Sequence, residues 1–543
     1  MNQEPLSLSL RDEVQLRGTL WFPSGPGPWP ALLMRQPYGH RLASTLVYAH
    51  PAWYASQGYL VLVQDVRGQG DSEGIFQGFA QEAADGTDTL AFLRSHHRCN
   101  GRVGSYGFSY QGLTQLLCDE PPLAADCLAP AMTGLDERLH WACEGGTHRW
   151  GLSLAWGLQL AAQHCQRQGD RQGWIAIRRS LVGGAFPYEG LDLLRSHDRQ
   201  NPVLAWLERD PGSEQGWPRH GLAPELLLRP LLLLQGWHDP YLCGGLDLWQ
   251  RSRLAGGQPL LRISPWAHLG WDRRVGGQDL GAASCSRVDE EQLAFFDRHL
   301  RDREPGTALV PSLAFDLLAH HWRAHCPLNG SGHRWGLESG GLAASRSDEG
   351  LLRADGGGAG SVHWVHDPWR PVPGRGGHLG LDAGPVERGD LDGRADVVCF
   401  SSPPLTETLE LWGQPLLELQ ASADGLGFDL CAALSVVRRQ GAEVLQLSTG
   451  VSSLRGYHCQ KMLWRQVRLQ PLLASLAPGD SLRISLAAAA WPQIRVNPGD
   501  GFLGGGPAGP DHRQICIELQ LAGAQLSLQP MVTAPPPGQT ELL

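Results

Sequence analysis

Three features that would point to a membrane, a nucleic acid or a secretory route are missing from this sequence. The longest apolar runs, such as residues 226–234, are far too short to span a bilayer, and Arg229 interrupts that one. No basic cluster is interleaved with aromatic residues, and the net charge of −10 disfavours a nucleic-acid partner. Residues 1–5 contain no basic segment followed by an apolar one, so we expect no signal peptide.

Paired cysteines are also absent. The 12 cysteines lie singly along the chain, and no two of them form a C-x-x-C pair. This spacing disfavours a zinc site, because structural zinc sites commonly draw two ligands from such a pair. In a chain of 543 residues, scattered cysteines are typical of reduced thiols in a protein core, which predicts a cytoplasmic protein.

The first part of the chain alternates strand-like and helix-like segments. Residues 6–22 alternate apolar and polar side chains, which predicts an antiparallel hairpin at the edge of a sheet. Residues 31–35 and 58–65 are largely apolar, as in strands buried on both faces, and helical segments separate them from a strand-like run at 103–106. This rhythm predicts a parallel sheet covered by helices on both faces.

A serine follows the strand-like run at 103–106. The order Gly107, Phe108, Ser109, Tyr110, then a helix-prone segment predicts a strand, a tight turn and a helix with Ser109 at the apex. Such a turn exposes the serine Oγ and directs the backbone N–H of Tyr110 at a developing oxyanion. The second glycine comes three residues after the serine, at Gly112, which departs from the usual G-x-S-x-G pattern.

Two later strand-like segments end in residues that suit an acid and a base. Residues 230–235 lead into Asp239, and residues 259–264 lead into His268. The order serine, acid, histidine is that of α/β-hydrolases, in which the acid orients the histidine that deprotonates the serine. His238 is a competing base because it adjoins the aspartate. Taken alone, Asp239 and His268 would each be better explained as loop residues that cap helices; it is their order, with each residue behind a strand, that favours the triad.

Tyr38 is a candidate second donor to the oxyanion. It follows the strand-like residues 31–35, and a phenol can donate a hydrogen bond to a tetrahedral oxyanion. The alternative is a tyrosine that is simply packed in the Pro37-Tyr38-Gly39 turn.

The rest of the chain shows two changes of pattern. After Ala131 the strand-like rhythm stops until Pro230, and beyond residues 331–360 alternating strands dominate, at 417–421, 444–447, 482–486 and 515–521. We predict an α/β-hydrolase core in residues 1–143 and 228–330, a helical cap in residues 144–227, and an antiparallel jelly-roll (galactose-binding-like) domain in residues 331–543. A separate helical domain without contact to the site is the alternative for residues 144–227. Residues 534–543, with a proline triplet, are expected to be loosely attached.

Several segments together resemble one family. They are RQPY at 35–38, QDVRGQGDSEG at 64–74, residues 101–112, GWHD at 236–239, PWAH at 265–268, FFDRHL at 295–300, DPWRPVP at 367–373 and residues 491–497. The chain resembles the family of cocaine esterase and X-prolyl dipeptidyl-peptidases, which also contains α-amino acid ester hydrolases and β-lactam acylases. The family's serine motif is G-x-S-Y-x-G, which accounts for the displaced glycine.

The resemblance implies roles for individual residues. It implies that Ser109 is the nucleophile, Asp239 the acid and His268 the base, and that the Tyr38 hydroxyl and the Tyr110 backbone N–H form the oxyanion hole. No metal or organic cofactor is implied. By their spacing, Trp141, Trp156 and Tyr241 resemble aromatic residues of the acyl pocket in the cocaine-esterase branch; for each of them, ordinary core packing is the alternative.

We therefore expect a serine hydrolase that forms an acyl-enzyme, with an esterase acting on small acyl esters preferred. The alternatives are an X-prolyl or related dipeptidyl-peptidase, or α-amino acid ester hydrolase, and a non-catalytic binding protein that uses the jelly roll. Because the sequence starts at the predicted hairpin, we expect the shorter, esterase-like architecture. A peptidase would need carboxylates for a free α-ammonium, and Asp136, Glu137 and Glu144 are candidates. The expected partner is a small ester, amide or short peptide, and a homodimer stays open.

Overall fold

A mixed β-sheet forms the centre of the N-terminal half. The computed structural model describes residues 2–42, 46–303, 310–324, 330–354, 356, 358–438 and 441–531. The first elements are β1 (Asn2–Ser9), β2 (Gln15–Phe22), β3 (Trp29–Gln36), α1 (Pro51–Ser56), β4 (Leu60–Asp65), α2 (Glu82–Ser95), β5 (Cys99–Phe108), α3 (Tyr110–Thr114) and β6 (Cys127–Ala131). Strands β1 and β2 form the antiparallel edge hairpin that the alternating pattern predicts.

A helical segment follows β6. It contains a short hairpin and four helices, which are β7 (Cys143–Glu144), β8 (Thr147–His148), α4 (Trp150–Gln168), α5 (Arg171–Gly183), α6 (Phe186–His197) and α7 (Pro202–Glu208). Helix α4 packs against the other three. Its buried residues Leu154, Leu158, Ala161 and Cys165 recur at helical spacing, so one stripe of the helix faces its neighbours. The helix ends at Gly169, whose φ of 72° favours glycine.

The chain then returns to the sheet. The elements are β9 (Leu232–His238), α8 (Leu242–Leu254), β10 (Leu260–Ala267), β11 (Arg274–Val275), β12 (Gln278–Asp279), α9 (Val288–Arg301), β13 (Ser312–Asp316) and β14 (His321–Ala324). The sheet has ten strands in the order β1-β2-β4-β3-β5-β6-β9-β10-β13-β14. All pairs from β4 to β13 are parallel, and the pairs at both ends are antiparallel. This arrangement confirms the predicted α/β class; β6, β13 and β14 are strands that the sequence patterns did not indicate.

Both faces of the sheet are buried. Along β3, Ala31 and Leu33 belong to one hydrophobic core, whereas Leu32 and Met34 belong to the core on the opposite face. Successive side chains of a strand point to opposite faces, so a strand covered on both sides must be apolar at every position. The continuous apolar runs of the sequence follow from this.

The C-terminal part is rich in strands. They are β15 (Arg334–Glu338), β16 (Gly350–Arg353), β17 (Ser361–His366), β18 (Val386–Glu387), β19 (Val397–Ser401), β20 (Leu409–Ala423), β21 (Gly427–Arg438), β22 (Glu443–Arg455), β23 (Leu463–Arg468), β24 (Leu472–Leu476), β25 (Ser481–Ala487) and β26 (Ile515–Gln529), with a short helix α10 (Gly389–Asp392). Nearly all pairs are antiparallel; β16 and β19 are parallel. The four strand segments expected from the sequence lie within β20, β22, β25 and β26. The jelly-roll topology and the domain boundaries stay predictions, and residues 534–543 lie outside the described residues.

The helical segment and the C-terminal part both contact the sheet and each other. The backbone N–H of Trp150, at the start of α4, donates to the carbonyl of Gln493 at 2.9 Å. Ser475 Oγ donates to Asp316 Oδ2 at 2.6 Å, which joins β24 to the end of β13. Gln163 Nε2, on α4, donates to the carbonyl of Pro37 at 3.1 Å, which joins the helical segment to the end of β3.

Every cysteine in the described ranges is free, and most of them are buried. Among the helices that the structure describes, none combines the length and the apolar character that crossing a membrane requires.

Candidate active site

Ser109 occupies the turn between β5 and α3. Its backbone has φ 58° and ψ −126°, a conformation that non-glycine residues rarely adopt. Two backbone hydrogen bonds stabilise this conformation. The N–H of Ser109 donates to the carbonyl of Ala131 at 2.9 Å, and the carbonyl of Ser109 accepts from the N–H of Gly112 at 2.9 Å. A strained serine at a strand-to-helix turn is the arrangement of a hydrolase nucleophile.

Gly107 and Gly112, which flank the turn, have no room for a side chain. A Cβ at Gly107 would lie 2.4 Å from the Cβ of Gln111, and one at Gly112 would lie 2.9 Å from the carbonyl oxygen of Ala131. Gln111 stands where the usual motif has its second glycine, and its Nε2 donates to Gln36 Oε1 at 3.0 Å. The displaced glycine therefore serves the packing of α3 against β6, while Gln111 ties the turn to β3.

Asp239 and His268 lie at the ends of neighbouring strands β9 and β10. His268 Nδ1 donates to Asp239 Oδ2 at 2.5 Å, since a carboxylate can only accept. The other carboxylate oxygen accepts from the backbone N–H of Tyr241 at 2.8 Å. The Asp239 side chain is fully buried and the His268 side chain is 16% exposed. This hydrogen bond fixes the tautomer in which Nε2 of His268 is free to accept a proton.

The competing base, His238, does not make this contact with Asp239. It is buried on β9, and its Nε2 has no hydrogen-bond partner within the described part of the chain. Burial, with a smaller contribution from the nearby His378, lowers the pKa of His238 to about 3. A neutral imidazole enclosed in the sheet cannot exchange protons with a substrate, so the geometry favours His268.

His268 lies beside the serine turn. Its ring centroid is 5.4 Å from that of Phe108, the residue before Ser109, and 5.0 Å from that of Tyr241. Among the described residues, no hydrogen bond joins Ser109 to His268. Such catalytic hydrogen bonds are often long without a bound substrate and tighten in the complex. The catalytic roles of Ser109, Asp239 and His268 stay a prediction.

Tyr38 has its hydroxyl beside Ser109. Burial of the phenol raises the pKa of Tyr38 to about 12, although hydrogen bonds with Trp156 and Ser109 lower it. The indole N–H of Trp156 donates to the Tyr38 hydroxyl at 3.3 Å. A phenol with a raised pKa keeps its proton at neutral pH, so it remains a hydrogen-bond donor. The Tyr110 hydroxyl has a different partner, since it donates to Glu82 Oε1 at 2.7 Å; only its backbone N–H is a candidate for the oxyanion hole.

The three predicted pocket aromatics lie together. The ring centroids of Trp141 and Tyr241 are 4.4 Å apart, and those of Trp141 and Trp156 are 6.3 Å apart. Tyr241 also contacts His268, and Trp156 contacts Tyr38, so the cluster adjoins both the proposed base and the proposed oxyanion donor. Their function as a substrate pocket stays a prediction.

Other residues at the site were not expected from the sequence. Phe79 and Trp206 extend the aromatic cluster, with ring centroids 4.9 Å from Trp141 and 5.3 Å from Trp156, respectively. A cavity of about 360 Å³ borders Phe79, Trp156 and Trp206. Gln470, from the C-terminal part, donates to the backbone carbonyl of Asp239 at 2.7 Å. No local pattern points to such residues, because each is defined by contacts across the fold.

Two groups in the described ranges have ligand atoms close enough to hold a metal ion. They are His40, Asp65 and Asp71, and Cys165, Asp170 and His197. Both groups have partners within the protein: Asp71 pairs with Arg41 at 2.8 Å, and Asp170 caps α5 by accepting from the N–H of Gly173 at 2.9 Å. We assign neither group a metal.

Comparison with protein families identifies the chain. The family described as X-Pro dipeptidyl-peptidase (S15 family) matches residues 12–270, and the X-Pro dipeptidyl-peptidase C-terminal non-catalytic domain matches residues 327–518. The chain belongs to the cocaine esterase and X-Pro dipeptidyl-peptidase family. As a member of this family it is a serine hydrolase, and hence an enzyme rather than a non-catalytic binding protein.

Relatives of this serine hydrolase extend over most of its length. The cocaine esterase of Rhodococcus sp. (strain MB1 Bresler) is 28% identical over 480 residues, and the match covers 82% of this chain and 82% of the esterase. Two solved structures share the fold. An aminopeptidase from a marine sediment Thaumarchaeota archaeon has a TM-score of 0.73 at 19% identity and covers 97% of this chain and 96% of its own. An α-amino acid ester hydrolase has a TM-score of 0.72 at 20% identity and covers 98% and 96%, respectively.

Proposed function

We propose that this serine hydrolase cleaves small acyl esters through Ser109, Asp239 and His268. The observation that supports it most directly is the hydrogen bond between His268 and Asp239, at the ends of adjacent strands, beside a serine in a strained strand-to-helix turn. Ser109 Oγ would attack the ester carbonyl while His268 Nε2 takes its proton. When the tetrahedral intermediate collapses, His268 would give that proton to the leaving alcohol, and an acyl-serine remains.

The second half of the reaction uses the same groups. A water molecule, deprotonated by His268, attacks the acyl-serine carbonyl, and the acid leaves as Ser109 regains its proton. In both halves the negative charge develops on the former carbonyl oxygen. We propose that the Tyr38 hydroxyl and the Tyr110 backbone N–H donate to it. No metal or organic cofactor is needed, because the serine supplies the nucleophile and the imidazole moves the proton.

The aromatic cluster suits an apolar or aromatic acyl group. Trp141, Trp156 and Tyr241 adjoin the proposed base and oxyanion donor, and aromatic walls with few polar groups favour apolar ligands. We therefore propose these three residues as the acyl pocket. The similarity to the Rhodococcus cocaine esterase, over 82% of each chain, supports an ester substrate.

The three carboxylates that could serve a peptidase are engaged elsewhere. Asp136 caps its helical turn by accepting from the N–H of Leu139 at 2.7 Å, and Glu144 Oε2 accepts from His378 Nε2 at 2.7 Å. Glu137 accepts hydrogen bonds from Trp206 and His220. All three carboxylates already accept hydrogen bonds within the protein, and of the three only Glu137 also borders the described cavity beside Phe79, Trp156 and Trp206. This favours the esterase over the dipeptidyl-peptidase, which is the second candidate because the family model carries that name.

Substrate preference gives the first test. We expect hydrolysis of a 4-nitrophenyl ester of a small aromatic or aliphatic acid, and little or no hydrolysis of a Gly-Pro-anilide under the same conditions. The physical reason is that the ester needs only the acyl pocket, whereas the dipeptide also needs a carboxylate for its ammonium. Initial rates at equal substrate concentration measure the ratio. Turnover of the anilide alone would reverse the preference.

Replacing Tyr38 with phenylalanine tests the oxyanion hole. Loss of one such donor typically lowers kcat by about 100-fold or more. Burial raises the pKa of Tyr38 to about 12, so the phenol keeps its proton up to pH 10. Deprotonation of Tyr38 should therefore not lower the wild-type kcat between pH 8 and 10. Tyr59→Phe is the matched control, since its hydroxyl donates to Asp297 on α9 and its loss should leave kcat unchanged. Equal kcat values for Tyr38→Phe and wild type would remove Tyr38 from the mechanism.

We also propose that residues 144–227 form a cap and that residues 331–543 form a jelly-roll domain. The contacts of Trp156 with Tyr38 support the cap. The free cysteines of the described ranges support a cytoplasmic, reducing environment.

A further inference from the structure

The loop between β23 and β24 reaches from the C-terminal part to the loop that holds Asp239. Within it, Gln470 Nε2 donates to the backbone carbonyl of Asp239 at 2.7 Å. Gln470 Oε1 accepts from the thiol of Cys243 at 3.9 Å, in the first turn of α8. One amide thus contacts both the residue proposed as the catalytic acid and the helix that follows it. The two contacts use the donor and the acceptor of the amide together.

Gln470 itself is held in place. Its backbone N–H donates to the carbonyl of Thr449 at 2.9 Å, and its carbonyl accepts from Ser448 Oγ at 2.6 Å. The residue is 5% exposed. A buried side chain on a fixed backbone has little freedom, so the position of its amide is set by the C-terminal sheet rather than by solvent.

The loop at Asp239 also has hydrogen bonds of its own: besides the 2.8 Å bond from the N–H of Tyr241 to the carboxylate, the Asp239 backbone makes two longer ones. Its N–H donates to the carbonyl of Gly236 at 3.2 Å, and its carbonyl also accepts from the N–H of Leu242 at 3.3 Å, both longer than the bond from Gln470. Pro240 follows directly and has no N–H to donate. Among the described hydrogen bonds of the Asp239 backbone N–H and carbonyl, the one from Gln470 is therefore the shortest.

We propose that Gln470 is a positioning residue for Asp239, so that the C-terminal part, whose family description is non-catalytic, helps to build the active site. This inference rests on the proposed function of Asp239. Gln470 acts through the backbone: it holds the loop so that the carboxylate of Asp239 stays aligned with Nδ1 of His268. A misplacement of about 1 Å in a catalytic group can reduce the rate about 100-fold. Substrate binding at the aromatic cluster would be little affected.

Gln470→Met tests the proposal, because methionine has nearly the same volume and lacks both polar groups. We expect kcat on the 4-nitrophenyl ester to fall by about 10- to 100-fold with KM within about twofold of wild type. In the proton NMR spectrum, the strongly deshielded Nδ1 proton shared by His268 and Asp239 should shift or broaden. Active-site titration normalises kcat to folded enzyme. If this variant does not fold, Gln470→Leu, which also lacks both polar groups and adds no charge, is measured with the same expected outcomes.

The matched control is Gln493→Met. Gln493 is also buried in the C-terminal part, and its Nε2 donates to the carbonyl of Gly376 at 2.8 Å, within the same part. We expect this variant to lose as much thermal stability as Gln470→Met but to keep kcat and the NMR signal of wild type. Equal kcat in wild type and the Gln470 variant, or an equal fall in both variants, would overturn the proposal. Failure of the proposed function is recognised separately, because Asp239→Asn would then retain activity.

Discussion

Ester hydrolysis is expected to disappear when Ser109 is replaced by alanine, with kcat falling by about 10⁶-fold, as for serine nucleophiles of other hydrolases. The alanine variant keeps the backbone of the turn but has no Oγ to attack the carbonyl, so neither acylation nor the acyl-enzyme is possible. The oxyanion hole and the binding site remain and account for the residual rate. Hydrolysis of a 4-nitrophenyl ester measures the loss. Labelling with a fluorophosphonate probe, which phosphonylates an activated serine, should occur in wild type and not in the variant.

Ser105→Ala is the control for this substitution. Ser105 lies on the same strand, is buried, and its Oγ donates to Gln115 Oε1 at 3.2 Å. The substitution removes the same atom from a serine four residues away in the sequence, and it leaves in place the hydrogen bonds that Gln115 Nε2 donates to the carbonyls of Gly107 and Gln111 in the turn. We expect full labelling and wild-type kcat for this variant. Labelling that survives in Ser109→Ala would show that another residue is the nucleophile.

The second largest effect is expected for Asp239→Asn, with kcat reduced by about 10⁴-fold. The amide of asparagine can donate to Nδ1 of His268, which then favours the tautomer that carries its proton on Nε2. An imidazole protonated at Nε2 cannot accept the proton of Ser109. The shape of the site is retained, so KM should change far less than kcat. Steady-state kinetics on the same ester measure both constants.

Asp316→Asn separates this effect from the loss of a buried carboxylate. The Asp316 side chain is also fully buried, at the end of β13, and accepts from Ser475 Oγ and from the N–H of Ala319 at 2.9 Å. It has no contact with His268 among the described hydrogen bonds. We expect a lower thermal midpoint with unchanged kcat, because the hydrogen bond with Ser475 joins the C-terminal part to the sheet. An Asp239→Asn variant whose kcat stays within tenfold of wild type would contradict the proposed role of the acid.

Sequence patterns were sufficient for the elements whose signals are local. The apolar runs of β3 and β4 follow from burial on both faces of the sheet, and the turn at Ser109 needs glycine at 107 and 112 because a Cβ would collide there. The sequence pattern did not indicate strand β6, because this strand is short and contains Pro130. Strands β13 and β14 lie beyond the last predicted strand of the sheet and have no comparably long apolar run.

Local sequence patterns could not predict contacts between residues that are distant in the sequence. The carboxylates Asp136, Glu137 and Glu144 were candidates for an ammonium site, and the structure engages all three in internal hydrogen bonds. Their availability depends on partners such as His378, which lies 234 positions from Glu144. No spacing within one segment indicates such a partner.

The amino-acid sequence by itself determined the α/β class, the family and the chemical types available for catalysis, because those depend on periodicity and on short ordered motifs. Only the tertiary structure decided which side chains meet: His268 rather than His238 pairs with Asp239, and Gln470 reaches Asp239 from 231 positions away. The physical reason is that a strand or a turn is stabilised largely by its own residues and close neighbours. A hydrogen bond between residues that are distant in sequence exists only once the segments that carry them have folded together.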